Sequence, residues 1–210
     1  MFTKTLSSTA RNSLAALGKS GLLKRFYLAG GSALALHLGH RRSIDFDFFT
    51  PLHFDSRNLA KNLGQLGEFE KMTIKADTLL GIFNSIKFSL FYFDYPLIKK
   101  PKSYLNVVIA DPADISAMKL AAIVDRGTKK DFIDLYFLAK EKYSLEQIFR
   151  FYNQKYQKLS ENLYAILKSL SYFEDAEVSE MPRMIKEISW REIKNFFRTE
   201  VIRLGNKYLR

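Results

Sequence analysis

Leu28-Ala-Gly-Gly-Ser-Ala-Leu-Ala-Leu-His-Leu-Gly-His-Arg-Arg-Ser-Ile-Asp-Phe-Asp-Phe-Phe-Thr50 is the stretch whose reading decides the fold of this chain. An apolar run ending at Ala29 meets the small-residue turn Gly30-Gly31-Ser32, which opens a helix-like segment that Gly39 closes. Asp45 and Asp47 then interrupt an otherwise apolar strand. Alternate residues of a strand share a face, so Ile44, Phe46 and Phe48 are expected on one side and both carboxylates on the other. Two carboxylates that close repel each other unless a cation sits between them, and hard oxygen donors on a rigid strand suit Mg²⁺. The turn offers backbone N–H groups at a helix N-terminus, where an anion is stabilised. An anion at the turn and a metal at the strand describe a site for a metal-bound nucleoside triphosphate.

Outward from that stretch, charge is unevenly spread. Residues 1–44 carry seven Lys or Arg and no acid, 45–95 carry seven acids against five bases, and the net charge of +11 is completed by smaller basic excesses downstream. The densest positive segment thus lies just before the carboxylate pair, where it would draw in a triphosphate or a nucleic-acid backbone. An acid-free, Ser-containing opening also suits a transit peptide, but Phe26–Ala29 already reads as a strand with a helix before it. The 210 residues, 18 Phe and 11 Tyr among them, suffice for a substantial core. With no cysteine there is neither a disulfide nor a thiolate metal site, which fits a reducing, cytoplasmic setting. No apolar run is long enough to span a membrane.

Downstream, Asp55 is the expected N-cap of a helix over 56–66. Phe69–Ala76, Leu79–Phe83 and Ile86–Phe93 then read as an antiparallel meander, with turns at Asp77-Thr78 and Asn84-Ser85. A basic, proline-interrupted loop (Lys99, Lys100, Lys102) leads to a last strand at Val107-Val108-Ile109. Asp111-Pro112 with Asp114 reads as a capping box for a helix over 112–125, Thr128 with Asp131 as another, and Ser144 and Ser189 as further N-caps. Apolar residues from Leu145 to Leu170 keep a helical stripe. The order is mixed α/β to about residue 110 and helical afterwards, an α+β arrangement.

Ala29-Gly30-Gly31, a spacer, and Asp45-Phe46-Asp47-Phe48 resemble the signature of the polymerase-β-like nucleotidyltransferase superfamily. The wider blocks narrow it: the opening stretch with Arg41 and Ser43, Met118-Lys119-Leu-Ala-Ala with Arg126, Asp131-Phe-Ile-Asp134-Leu, and Ser-Tyr172-Phe-Glu-Asp175-Ala-Glu are similar to the AbiEii/AbiGii-type nucleotidyltransferases of toxin–antitoxin and phage-defence systems. The resemblance runs from about residue 26 to 200 and implies a nucleotidyltransferase domain over 1–110, with a mixed sheet flanked by helices, and a helical domain over 111–210. It implies transfer of a nucleotidyl group to a hydroxyl of RNA, tRNA among the candidates, or of protein, with an antitoxin as a further partner. Carried over residue by residue, Asp45 and Asp47 would hold Mg²⁺. Gly30, Gly31 and Ser32 would receive the phosphates, Arg41 and Ser43 would lie beside them, and Lys119 would contact a nucleotide phosphate.

Active members of the superfamily usually carry a third carboxylate on a later strand. Ile86–Phe93 holds none; Lys87, Ser89, Phe91 and Phe93 share a face, so Ser89 falls at the expected position, and Asp94 and Asp131 are the substitutes. A catalytically weak nucleotide- or RNA-binding module is therefore the alternative to an enzyme. Asp131 is balanced between catalysis and structure, as a capping acid or an ion-pair partner of Arg126 or Arg41. His37 and His40 lie one turn apart but lack a third ligand, so packing is favoured over zinc.

Overall fold

The computed structural model describes residues 1–209. They fall into two compact units, one from Met1 to Asp111 and one from Pro112 onward.

In the first unit a 3₁₀ turn (Thr3–Thr5) precedes α1 (Ser8–Ser20), whose N-cap Ser7 accepts from the Ala10 N–H. Then come β1 (Tyr27–Ala29), α2 (Gly30–Leu38), β2 (Phe46–Thr50) and α3 (Ser56–Leu66). Asp55 caps α3 as its sequence position predicts, accepting from the N–H groups of Arg57 and Asn58. The meander is present as β3 (Phe69–Lys75), β4 (Thr78–Phe83) and β5 (Ile86–Tyr92), followed by β6 (Lys102–Tyr104) and β7 (Val107–Ile109). Two hairpins turn through pairs of residues with positive φ, Asn84-Ser85 and Leu105-Asn106, the backbone a two-residue primed turn requires.

The strands form one mixed sheet in the order β3-β4-β5-β2-β1-β7-β6. β2 runs antiparallel to β1 and parallel to β5, while β1 runs parallel to β7. One face is fully buried by Leu28, Phe46, Phe48, Leu79, Phe88, Leu90 and Ile109. The other carries Asp47, Phe49, Ser89 and Phe91, all half-buried. The burial alternation Phe46, Asp47, Phe48 is as expected, but the strand begins at Phe46, and Ile44 is exposed rather than part of the core face. β6 had no sequence signature, because three residues of Lys-Ser-Tyr carry no apolar run.

The second unit is helical among the described residues: α4 (Pro112–Asp125), α5 (Lys129–Glu141), α6 (Leu145–Tyr156), α7 (Leu159–Ser171), the short α8 (Glu174–Glu177) and α9 (Trp190–Tyr208). Ser144 and Gln147 form the complete capping box of α6. The stripe read across 145–170 is two helices, broken where Gln157 adopts a left-handed conformation. α4 packs against α5, α6 and α7, and α9 packs against α5 and α7. Phe132, Phe173, Trp190 and Phe197 make an aromatic cluster within this unit. Asp114 is fully buried and bound to the equally buried Lys155 at 3.0 Å. The acid read as a cap thus also ties α4 to α6.

Candidate functional site

β1 ends directly in α2, so the chain passes from strand to helix across Ala29-Gly30 with no loop. Gly30 holds φ +64°, the left-handed region that costs a side-chain-bearing residue about 1–2 kcal/mol. Its missing side chain matters as much, since a Cβ there would stand 2.7 Å from Asp47 Oδ2. Ala29 pairs with Asp47 across the β1–β2 ladder, which fixes that approach.

Gly31 repeats the device on the next residue. A Cβ at Gly31 would lie 2.4 Å from a guanidinium nitrogen of Arg41 and 3.1 Å from Ser43 Oγ. Arg41 is 3% exposed and donates from Nη1 to the Arg42 carbonyl at 3.1 Å. The Ser32 hydroxyl donates to the Asp45 carbonyl oxygen, stitching the first turn of α2 to the residue that precedes β2. Ser32 is buried, so its hydroxyl has a backbone partner in this structure, and its N–H is among those that the first turn of a helix leaves without an intrahelical acceptor.

Seven residues singled out in the sequence are therefore brought to one place in the first unit: Gly30, Gly31, Ser32, Arg41, Ser43, Asp45 and Asp47. The helix supplies N–H groups and the positive end of its dipole, Arg41 a full positive charge, and β2 with the residue before it two half-buried carboxylates. Such a set offers donors for an anion next to oxygen ligands for a cation. Among the described residues no cluster of three or more His, Cys, Asp or Glu side chains is placed to hold a metal. The carboxylates of Asp45 and Asp47, the latter admitted beside the helix by Gly30, are hard oxygen donors that fit a Mg²⁺. Across β2 and β5 the residue facing Asp47 is Ser89. His37 donates from Nε2 to the Ala110 carbonyl at 2.8 Å, a packing contact at the end of α2.

In the second unit Lys119 and Asp131 meet each other. Lys119 Nζ lies 2.9 Å from Asp131 Oδ1 and 2.7 Å from Asp134 Oδ2, with all three side chains at most 8% exposed. Arg126 Nε adds a contact of 3.1 Å to Asp131, and the Thr128 hydroxyl donates to the same carboxylate at 2.7 Å. Thr128 is the N-cap residue of α5 but makes no side-chain cap. The capping box expected of Thr128 and Asp131 is replaced by this cluster, because a buried lysine one helix away is the stronger claim on the carboxylate. Burial pushes the Asp131 carboxyl up, but Lys119, Arg126 and Thr128 together outweigh it and hold it at about 2. Asp134 completes the cluster; its signal in the sequence was the three-residue spacing from Asp131, which puts both acids on one helix face.

A model of the nucleotidyl transferase AbiEii toxin family, type IV toxin–antitoxin system, matches residues 12–103 and 94–203. The chain belongs to the AbiEii family. It is 38% identical over 203 residues to an uncharacterized protein of Aquifex aeolicus (strain VF5), covering 94% of this chain and 97% of that one. Two solved structures share the fold. A nucleotidyltransferase candidate from H. pylori aligns with a TM-score of 0.59 at 19% identity, over 96% of each chain. The nucleotidyltransferase toxin MenT4 of Mycobacterium tuberculosis aligns with a TM-score of 0.56 at 16% identity, over 93% of this chain and 84% of its own. The AbiEii chain is thus a member of a nucleotidyltransferase toxin family with an α+β nucleotidyltransferase fold, and no described helix is long and apolar enough to cross a membrane.

Proposed function

We infer that this chain transfers a nucleotidyl group from a nucleoside triphosphate to a hydroxyl of RNA, with Mg²⁺ at Asp45 and Asp47, as the toxin of a toxin–antitoxin pair. The observation that carries this reading is the close approach of Gly30 to Asp47 and of Gly31 to Arg41, which sets the N-terminus of α2, a guanidinium and the Asp47 carboxylate together, with the Asp45 backbone tied to Ser32. RNA is favoured as acceptor by the net charge of +11 and by the acid-free segment 1–44. An antitoxin partner follows from the family description.

When bound, Mg²⁺ neutralises phosphate charge and lowers the cost of the developing negative charge on the leaving group. The protein's own residues position the reactants. N–H groups of the first turn of α2 receive phosphate oxygens, and the missing side chains of Gly30 and Gly31 let Asp47 and Arg41 come up beside that turn. Arg41 offsets charge on the departing pyrophosphate, and Asp45 and Asp47 orient the acceptor hydroxyl for in-line attack. Within the helical unit, Asp131 and Asp134 hold the Lys119 ammonium in place.

Ser89 opposite Asp47 favours a second reading, a binding module with little turnover. The test is labelled-nucleotide transfer into total cellular RNA and protein, with Mg²⁺. Label in RNA that disappears in Asp45→Ala/Asp47→Ala supports the assignment. Label that survives the double substitution refutes the site, and saturable nucleotide binding without product supports the binding module.

A further inference from the structure

The half-buried face of the sheet continues past the carboxylates as a row of rings. One strand repeat beyond Asp47 is the half-buried Phe49, which pairs with the buried Tyr27 across β1 and with the half-buried Phe91 across β5. Tyr27 and Phe49 stack at 6.0 Å with an interplanar angle of 27°, and Phe49 lies 5.6 Å from Phe91 and 5.4 Å from Phe93. Phe93 in turn contacts Tyr95 at 4.9 Å. At the end of this row a cavity of about 280 Å³ opens among Tyr27, Pro51, Tyr95 and Leu97, with Lys24 and Arg25 at its rim. Its volume is at the small end for ligand pockets, sufficient for a planar ring and too small for a folded peptide.

The charge around the cavity has one sign at its mouth. Lys24 and Arg25 are exposed, and both lie in the acid-free segment 1–44. Leu97 leads into the exposed Lys99 and Lys100, the exposed Asp94 precedes it by three residues, and Arg25 also lines a neighbouring cavity with Asp55. Aromatic and apolar walls under a cationic rim are the combination by which proteins hold single-stranded nucleic acid: bases stack on rings and phosphates meet Lys and Arg.

The distance is set by the ladder. Phe49 stands about 7 Å along β2 from Asp47, roughly two steps of a stacked strand at ~3.4 Å each. A chain whose terminal hydroxyl lies at the carboxylates would therefore bring a base just upstream over Phe49, and the next toward the cavity. We propose that this cavity is an acceptor subsite that takes a base near the 3′ end of a single-stranded RNA, with Lys24 and Arg25 on its phosphate. The proposal rests on the nucleotidyl-transfer reading above and names where on the first unit the acceptor is held.

The experiment uses a short RNA oligonucleotide with 2-aminopurine two nucleotides from its 3′ end, titrated with native protein, with Tyr95→Ala and with Lys24→Glu/Arg25→Glu. The charge-reversal pair changes exposed side chains only, so it tests the subsite even if Tyr95→Ala perturbs folding. Nucleoside triphosphate affinity, measured without RNA, and transfer into the same oligonucleotide are followed in parallel. Native protein should change the 2-aminopurine emission, both variants should weaken RNA binding by about tenfold or more, and nucleotide affinity should stay within about twofold. Unchanged RNA affinity in both variants, with transfer intact, overturns the subsite and leaves the transferase reading standing. Label carried to protein, with no RNA bound by the native chain, overturns both.

Discussion

Replacing Lys119 by Met should destabilise the helical unit more than replacing Asp131 by Asn, and the two changes should respond oppositely to pH. Lys119 is the cation between two carboxylates, 2.9 Å from Asp131 and 2.7 Å from Asp134, at sites that are 1% and 0% exposed. Without it those acids face Arg126, whose side chain is 60% exposed and reaches Asp131. Uncompensated buried charge of this kind costs about 3–5 kcal/mol at neutral pH. Asp131→Asn leaves the Lys119–Asp134 pair intact and removes a group held at about 2 against an ordinary 3.8. That difference is worth about 2 kcal/mol at ~1.4 kcal/mol per pH unit. The sign follows from the depressed carboxyl: its contribution is full above pH 4, and is lost as the pH falls through about 2. Asp131→Asn should therefore flatten the loss of stability below about pH 4 by about 2 kcal/mol. Lys119→Met should do the reverse, since protonation relieves its stranded carboxylates and its deficit shrinks on acidification. Urea unfolding can be followed at the single tryptophan, Trp190, which lies in the same unit 5.9 Å from Phe132. A Lys119→Met deficit below about 1 kcal/mol, or one equally large at pH 7 and pH 3.5, would refute this account of the cluster.

Gly30→Ala should lose about 1–2 kcal/mol of stability to its left-handed backbone and, because the new Cβ meets Asp47 Oδ2, should also bind nucleotide far more weakly; thermal melts with a nucleotide titration separate the two effects. Gly31→Ala displaces the end of a flexible Arg41 side chain, so its main effect should be about tenfold weaker triphosphate binding at small cost in stability. Lys155→Met strands the fully buried Asp114 and should cost about 3–5 kcal/mol in urea unfolding, whereas Lys155→Met combined with Asp114→Leu should recover most of it.

Local signals carried much of this structure. Asp55, Ser144 and Ser189 cap the helices that follow them, because an N-cap works through neighbouring backbone N–H groups and is therefore written in adjacent residues. The meander was legible from its alternating residues, and Asn84-Ser85 forms a turn of its own. The parity of 86–93 put Ser89 on one face with Lys87, Phe91 and Phe93, since side-chain alternation is a property of the strand itself, but that Ser89 faces Asp47 depends on the β2–β5 pairing. Signals that depend on a distant partner were less readable. Asp114 and Asp131 look like capping acids in the sequence, yet each is taken by a buried lysine, from α6 and α4 respectively, that no local pattern announces. Likewise Gly30 and Gly31 were visible as a turn, but the identity of what crowds them, Asp47 and Arg41, depends on the β1–β2 pairing and the path of residues 41–45.

The central claim is that the first unit binds a metal-bound nucleoside triphosphate between the N-terminus of α2 and the Asp45–Asp47 pair. Calorimetric titration of nucleoside triphosphate into native protein and into Asp45→Ala/Asp47→Ala, each in Mg²⁺ and in EDTA, addresses it most directly. The account predicts saturable binding by native protein in Mg²⁺, its loss in EDTA and in the variant, and an unchanged melting temperature for the variant without nucleotide. Equal affinity in native and variant protein, or affinity indifferent to EDTA, would contradict it.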